Sequence, residues 1–290
     1  IDGFIHLLLR QDNLNNDQNL YLQTIRKSSA HLLALINDVL DFSKIDAGKL
    51  ELDTATFDLE EAIFDVMDML SPLAAQKHID MAFYYADNVP KHVVGDALRF
   101  KQILTNLISN AIKFTPDGEI IVRARMEQDD IGQCLLHFSV QDSGIGLSGT
   151  DRKKLFESFS QGDASVTRQF GGTGLGLAIS KQLVHLMQGQ IGFEDNQERA
   201  PTEKGSTFWF TAMFMVNEED EYVEHPQFSD MQVVSYLAHP ATANILRHYL
   251  EDYAVEHIES SSILDLFSHL NRLPQDCLLY TSDAADEGLG

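Results

Sequence analysis

The sequence predicts an α+β chain in three parts: a helical hairpin, an α/β sandwich, and the first half of a βαβα unit. Three observations carry that expectation. Apolar residues between Gln18 and Leu40 step by three and four. Strand-like and helix-like stretches interleave from Lys49 to Val216, the pattern of a sheet covered by helices. An acidic run, Asn217 to Asp230, then breaks the pattern with six acids and no Lys or Arg.

Composition narrows the function classes. A length of 290 residues suits about two domains. Lys+Arg of 21 against Asp+Glu of 44 gives a net charge of −23, which repels a phosphate backbone and argues against a nucleic-acid partner. A hydrophobic content of 44% suits a packed core rather than a disordered chain. Two cysteines, Cys134 and Cys277, make no disulfide framework and fit a reducing compartment. No run of 18 apolar residues offers a membrane span. The chain opens on Ile1-Asp2-Gly3, in mid-pattern and without Met, and reads as a fragment.

The elements follow in order. Phe4 to Arg10 is a short apolar helix, and Asp12 to Asp17 is a turn whose polar side chains cap the next one. There Leu22, Ile25, Ser29, Leu32, Ile36 and Val39 form a heptad-like seam, widened by Leu33 and Leu40. Two helices alone cannot bury so wide a stripe. A homodimer of four helices covers it, or else the chain's own domain does. Lys49 to Asp53 alternates like a strand. Asp58 to Lys77 has helical spacing, with Pro72 expected to kink it. Ile79 to Ala86 is strand-like, and Asp96 to Phe114 is a strongly periodic helix. Strands are expected at Glu119–Met126, Leu135–Asp142, Gln190–Glu194 and Thr207–Phe214, with a helix from Leu175 to Met187. Trp209 is expected in the core of the last strand. Beyond the acidic run, strand Met231–Leu237, helix Ala241–Leu250, strand Ala254–Ile258 and helix Ile263–Leu270 complete the pattern.

Three glycine clusters point to chemistry: Asp142-Ser-Gly144-Ile-Gly146, Gly171-Gly172-Thr173-Gly174-Leu175-Gly176, and Gly205-Ser206-Thr207. Such clusters let backbone N–H groups approach phosphates, and a helix starting just after Gly174 favours anions. A P-loop is excluded, because Leu177-Ala178 follows Gly176 where Lys-Ser/Thr is needed. Gly144, Gly146 and Gly149 satisfy G-x-G-x-x-G, but a short charged segment follows instead of a long helix. On the Asp96–Phe114 helix, Asn106, Asn110 and Lys113 share one face. Asn110 offers a neutral oxygen to a hydrated Mg²⁺, and Lys113 offers charge to a phosphate. The alternative is a polar face turned to water.

Together these pieces resemble sensor histidine kinases of two-component systems. Asn106-Leu-Ile-Ser-Asn110-Ala-Ile-Lys113-Phe-Thr is similar to their N box, and Asp142-Ser-Gly-Ile-Gly146 to the G1 box. Leu155-Phe-Glu-Ser-Phe159 is similar to the F box, and Gly172-Thr-Gly-Leu-Gly176 to the G2 box. Asn37-Asp-Val-Leu-Asp-Phe-Ser-Lys44, with Asp46-Ala-Gly-Lys49, resembles the end of the dimerisation helices.

The resemblance implies a Bergerat-type ATP-binding sandwich preceded by a dimerising helical hairpin, a four-helix bundle in the dimer. It implies that Asp142 accepts from the adenine amino group, as a carboxylate suits an exocyclic amine. Asn110 would ligate Mg²⁺ with Asn106 beside it, both near the phosphates. Gly144, Gly146, Gly172, Thr173, Gly174, Leu175 and Gly176 would wrap the nucleotide, and Thr207 would support the adenine end. Glu157 to Gln169 would form a lid from which Arg168 reaches the γ-phosphate. ATPases sharing this fold carry a Glu where Asn106 stands. A carboxamide is no general base, so ATP is expected to be held for a protein nucleophile rather than for water. No residue of this chain is expected to be the nucleophile. The family's acceptor motif sits in the first helix, upstream of Ile1. His6 lacks the following acid and proline, and His31 is expected to be structural. The histidines show no zinc-ligand spacing.

The C-terminal stretch resembles the opening of a receiver domain, but Ala238-His239-Pro240 stands where an active receiver has its acidic pair. A degenerate receiver after a kinase core resembles hybrid sensor kinases of the BarA/GacS type. Cys277 to Glu287 resembles the translation of a transposase-type sequencing adapter and is set aside. The expected organisation is therefore 1–52 partial dimerisation helices, 53–216 ATP-binding domain, 217–230 acidic linker, 231–276 truncated receiver-like piece and 277–290 adapter-derived tail. The expected partners are a second copy through the N-terminal helices and a response regulator or downstream phosphotransfer domain. The expected location is the cytoplasmic side of a protein anchored in the bacterial inner membrane. Two alternatives are a non-catalytic nucleotide-binding scaffold and a water-hydrolysing ATPase of the same fold.

Overall fold

The computed structural model describes residues 8, 15–146, 155–157, 174–196, 205–216, 228–229, 231–237 and 240–270. Their contacts divide the chain into two compact units, Ile1–Tyr222 and Val223–Gly290.

The first unit opens with α1, Asn16–Asp46. Asn15 starts it through a capping box: its side chain accepts the Gln18 N–H at 2.8 Å, and the Gln18 side chain accepts the Asn15 N–H at 3.0 Å. The expected strand at Lys49–Asp53 is not one. Leu50 is buried and Leu52 packs on the core, so the alternation there reports one-sided burial of an extended connector rather than ladder pairing. The first strand, β1, comes later at Ala55–Asp58. Asp58 then caps α2, Leu59–Ala75, by accepting the Glu61 N–H at 2.9 Å. The helix is one element through Pro72.

Strands β2 (Ile79–Tyr85) and β3 (His92–Gly95) precede α3, Ala97–Phe114. Strands β4 (Gly118–Asp130) and β5 (Gln133–Asp142) form a long hairpin with a register shift between Met126 and Gln128. Helix α4 is Gly176–Leu186, β6 is Ile191–Asp195 and β7 is Ser206–Val216. The seven strands make one sheet in the order β1-β3-β7-β5-β4-β2, with β6 also on β7. Among the described residues of this sheet, β2 and β4 pair in parallel and the other ladders are antiparallel.

Helices α2, α3 and α4 share one core with the sheet. α3 contributes Phe100, Ile103, Leu104, Leu107 and Ile108, all fully buried. Phe100 sits among aromatic rings, with centroids 4.9 Å from Phe138, 6.1 Å from Phe210 and 6.0 Å from Phe214. Trp209 is not in this core. Its neighbours Phe208 and Phe210 are buried, so strand alternation turns Trp209 to the other face, stacked on His137 at 5.6 Å.

The second unit contains β8 (Gln232–Ser235), α5 (Pro240–Asp252), β9 (Glu256–Glu259) and α6 (Ile263–Leu270). β8 and β9 pair in parallel across α5, a βαβα order. Residues 277–290 and Ala238-His239 lie outside the described residues.

Candidate functional site

Helix α3 begins at a well-defined point because Asp96 caps it. Its Oδ1 accepts the Arg99 N–H at 3.0 Å, while Oδ2 accepts the Asp53 N–H from the connector at 3.0 Å. With the start fixed and the apolar stripe buried, Asn106, Asn110 and Lys113 fall on the opposite, half-buried face. The Asn110 side-chain N–H donates to Asn106 Oδ1 at 3.3 Å, and the Asn106 side chain donates to Ser180 Oγ at 2.8 Å. Burial lowers the Lys113 ammonium pKa, and its Nζ lies 4.9 Å from the Phe114 ring centroid.

Helix α4 lies directly against this face. A Cβ on Gly176 would fall 2.5 Å from Asn106 Oδ1, so any other residue would have to displace the Asn106 amide. Leu175 takes the N-cap position and has no polar side chain to cap with, leaving the helix start suited to an anion. Gly174 has φ +68°, a left-handed conformation that glycine adopts without strain.

The carboxylate of Asp142 ends β5 and is buried. It accepts the Gly144 N–H at 2.9 Å and a backbone N–H from Ser206, its register partner on β7. Burial outweighs those two bonds and pushes its pKa up to about 6. Two glycines close round it. A Cβ on Gly144 would sit 2.4 Å from Phe114 O, and one on Gly205 would sit 1.9 Å from Asp142 O. Thr207 reaches the same place through Asn196: its hydroxyl donates to Asn196 Oδ1 at 2.7 Å, and Asn196 Nδ2 donates to Asp142 O at 3.0 Å. Gly146 continues the turn with φ +68°.

The structure thus joins the expected residues in two groups, Asn106, Asn110 and Gly176 in one and Asp142, Gly144 and Thr207 in the other. The end of α3 bridges them, since Ile145 N–H donates to Phe114 O at 3.2 Å. Leu155 and Phe156 pack on the core. Arg168, Gly172, Thr173 and His6 lie outside the described residues. Asn196 and Ser180 were not foreseen, because each acts through a contact that no local motif announces.

A cavity of about 810 Å³ separates α1 from α2, α3 and α4. Asn106, Gly176 and Ser180 line one end, and Asp41 and Arg99 line the other. Neither Asn110 nor Asp142 lines it. Arg99 Nη1 bonds Asp41 Oδ2 at 2.9 Å and Gln102 Oε1 at 2.7 Å, tying α1 to the start of α3. Among the described residues no cluster of three metal-ligating side chains exists, and no helix is long and apolar enough to cross a membrane.

A buried acid at a strand end, glycine-lined turns and an amide-bearing helix against a glycine-started helix define a nucleotide-binding domain of the ATPase class. Residues 95–214 match the family described as histidine kinase-, DNA gyrase B- and HSP90-like ATPase, and residues 1–48 match the His Kinase A (phospho-acceptor) domain. With both domains in this order, the chain belongs to the sensor histidine kinases. It is 44% identical over 255 residues to the sensor histidine kinase GacS of Pseudomonas protegens, covering 88% of this chain and 27% of that protein. It is 41% identical over 208 residues to the signal transduction histidine-protein kinase BarA of Escherichia coli, covering 72% of this chain and 22% of that one. The crystal structure of full-length ShkA in complex with AMPPNP superposes with a TM-score of 0.75 at 29% identity, over 92% of this chain and 53% of that chain. The chain thus spans about a quarter of the length of these curated relatives.

Proposed function

We propose that this chain is the ATP-binding core, with part of the dimer module, of a hybrid sensor histidine kinase. It binds Mg-ATP, and the γ-phosphate passes to a histidine of the dimerisation helices and then to an aspartate of a response regulator or downstream phosphotransfer domain. The observation that carries this reading is Asp142. A buried carboxylate with its pKa raised to about 6 is costly to the fold and is explained by an incoming donor such as the adenine amino group.

The residues fit the rest of the ligand. Gly144 and Gly205 clear space beside the carboxylate, and Thr207 steadies that end through Asn196. Gly174, Leu175 and Gly176 present a helix start to the phosphates, with Arg168, Gly172 and Thr173 assigned to the same task. Gly146 belongs to the adenine turn. Asn110 would hold Mg²⁺ through its carboxamide oxygen, with Asn106 beside it, and the bound ion would offset phosphate charge. Lys113 adds a cation whose desolvation strengthens its attraction to a phosphate. Asn106 cannot take a proton from water, and both ends of its amide are already hydrogen-bonded. ATP is therefore kept for a protein nucleophile, positioned rather than hydrolysed.

The wider assignments rest on the same family. The chain dimerises through α1. The whole protein is anchored in the bacterial inner membrane with this part on the cytoplasmic side. Residues 231–276 are the opening of a degenerate receiver. No histidine of this chain is assigned as the acceptor.

Nucleotide titration of the wild type and Asp142→Asn tests the proposal. The wild type should bind Mg-ATP, and the variant should lose on the order of 100-fold in affinity. Equal, negligible affinity in both would favour a scaffold. Acid-labile phosphate forming on this chain alone would show that one of its own residues accepts the phosphoryl group.

A further inference from the structure

The last carbonyls of a helix have no partner within its own ladder and must find one elsewhere. At the end of α3, Thr115 N–H donates to Ala111 O at 3.0 Å, and Ile145 N–H donates to Phe114 O at 3.2 Å. The two carbonyls between them are met by one side chain from outside the helix. Lys77 Nζ donates to Ile112 O at 2.6 Å and to Lys113 O at 3.1 Å, and it lies 3.5 Å from Thr115 O. An ammonium has three donors and carries the charge that a helix C-terminus favours. Lys77 sits in the turn between α2 and β2, far in sequence from every nucleotide box, and it is half-buried.

The place matters because the two groups of site residues meet there. Asn110 and Lys113 belong to the final turns of α3. Gly144 packs on Phe114 O so closely that a Cβ would stand 2.4 Å from it. A small shift of the helix end would move Asn110 and Lys113 relative to the Asp142–Gly146 turn.

We infer that Lys77 is a positioning residue for the metal and phosphate end of the nucleotide site: its ammonium pins the C-terminal carbonyls of α3 and so holds Asn110 and Lys113 in register with that turn. The inference rests on the nucleotide reading above. Lys77 would touch no nucleotide atom. It acts through the helix end, whereas Asp142 acts on the base directly. Loss of Lys77 should therefore weaken the part of affinity that depends on Mg²⁺ and the terminal phosphates more than the part that depends on adenine.

The test compares Lys77→Met, Lys77→Gln and Lys77→Arg with the wild type in this chain. Affinity is measured calorimetrically for Mg-ATP and for ADP without metal, with a thermal melt of each variant. Lys77→Met should lose about tenfold in Mg-ATP affinity and stay within about twofold for metal-free ADP. Lys77→Arg, which keeps charge and donors, should recover most of the loss. If Lys77→Met does not fold, Lys77→Gln is read for the same split. A variant that melts earlier yet binds Mg-ATP as the wild type does would reduce Lys77 to a structural cap and overturn the inference. Equal losses for both ligands, or no recovery with arginine, would overturn it too. A wild type that binds neither ligand would instead overturn the nucleotide reading, and this inference with it.

Discussion

Helices α1 and α3 carry the same kind of apolar stripe and meet opposite fates. In α3, Phe100, Ile103, Leu104, Leu107 and Ile108 are fully buried beneath the sheet. In α1, Ile25, Leu32, Ile36 and Val39 remain 46–58% exposed. A stripe at helical spacing states that a helix needs a partner. It does not state whether the partner lies in the same chain. The domain supplies it for α3; under the proposed dimer a second protomer would supply it for α1, since an apolar strip that long is costly to leave in water.

The largest expected effects contrast the two helices. Leu107→Ala should destabilise the first unit by about 2–5 kcal/mol through the cavity it leaves, measured by chemical denaturation. Ile36→Ala should barely move that transition at low protein concentration and should instead shift the monomer–dimer balance in sedimentation. Equal destabilisation by both would break the comparison.

The next effect concerns the buried acid beside the α3 terminus. A folded pKa of about 6 against the ordinary 3.8 means that the folded chain holds the Asp142 proton more tightly than the unfolded chain does. Stability from that protonation is present below about pH 3.8 and is lost as pH rises through 6. At pH 7 the loss amounts to roughly 3 kcal/mol. Asp142→Asn should thus melt higher than the wild type at pH 7 while binding ATP worse, and the difference in melting temperature should shrink towards pH 4. Wild-type ATP affinity should fall as pH drops below about 6. A flat difference across this range would mean that Asp142 titrates normally.

Gly176→Ala comes third. Its Cβ would press on Asn106 Oδ1 and push α4 from α3, with Mg-ATP affinity expected to fall about tenfold in the same titration. The smallest effect is at the tie between α1 and α3. A double-mutant cycle of Asp41→Ala and Arg99→Ala should give a coupling of about 1 kcal/mol in denaturation, because the pair is mostly shielded yet still near solvent. A coupling of zero would leave the Gln102 amide, which donates to Asp41 Oδ2 at 3.1 Å, as the polar tie between them.

The reach of sequence reasoning follows from the range of the forces involved. α3 was legible because its apolar stripe is local. Gly144, Gly176 and Gly205 were legible as close-approach positions because tight backbone packing demands glycine wherever the chain comes from. β3 was missed because a four-residue strand beside a turn has too little pattern, with Val93 its one fully buried apolar side chain. The extended connector through Leu50 passed for a strand because alternation cannot show whether a ladder partner exists. Trp209 was placed on the wrong face because size suggests a core residue while the pleat decides the side. Asn196, Ser180 and Lys77 were invisible, since each bonds a residue 35 or more positions away.

The parallel pairing of β2 with β4 shapes how the sheet assembles. The β4–β5 hairpin closes over a short turn at Ile131-Gly132, whereas Tyr85 can meet its register partner only after the whole of β3 and α3 has been threaded between them. Loop-closure entropy makes such a ladder slow to nucleate. β2 is also the outermost strand on its side. Until it arrives, β4 presents a bare row of amides to any neighbouring chain, so a newly made polypeptide is most open to aggregation in that interval. Pulse-labelled amide exchange should show Ile79–Tyr85 gaining protection after the β4–β5 hairpin.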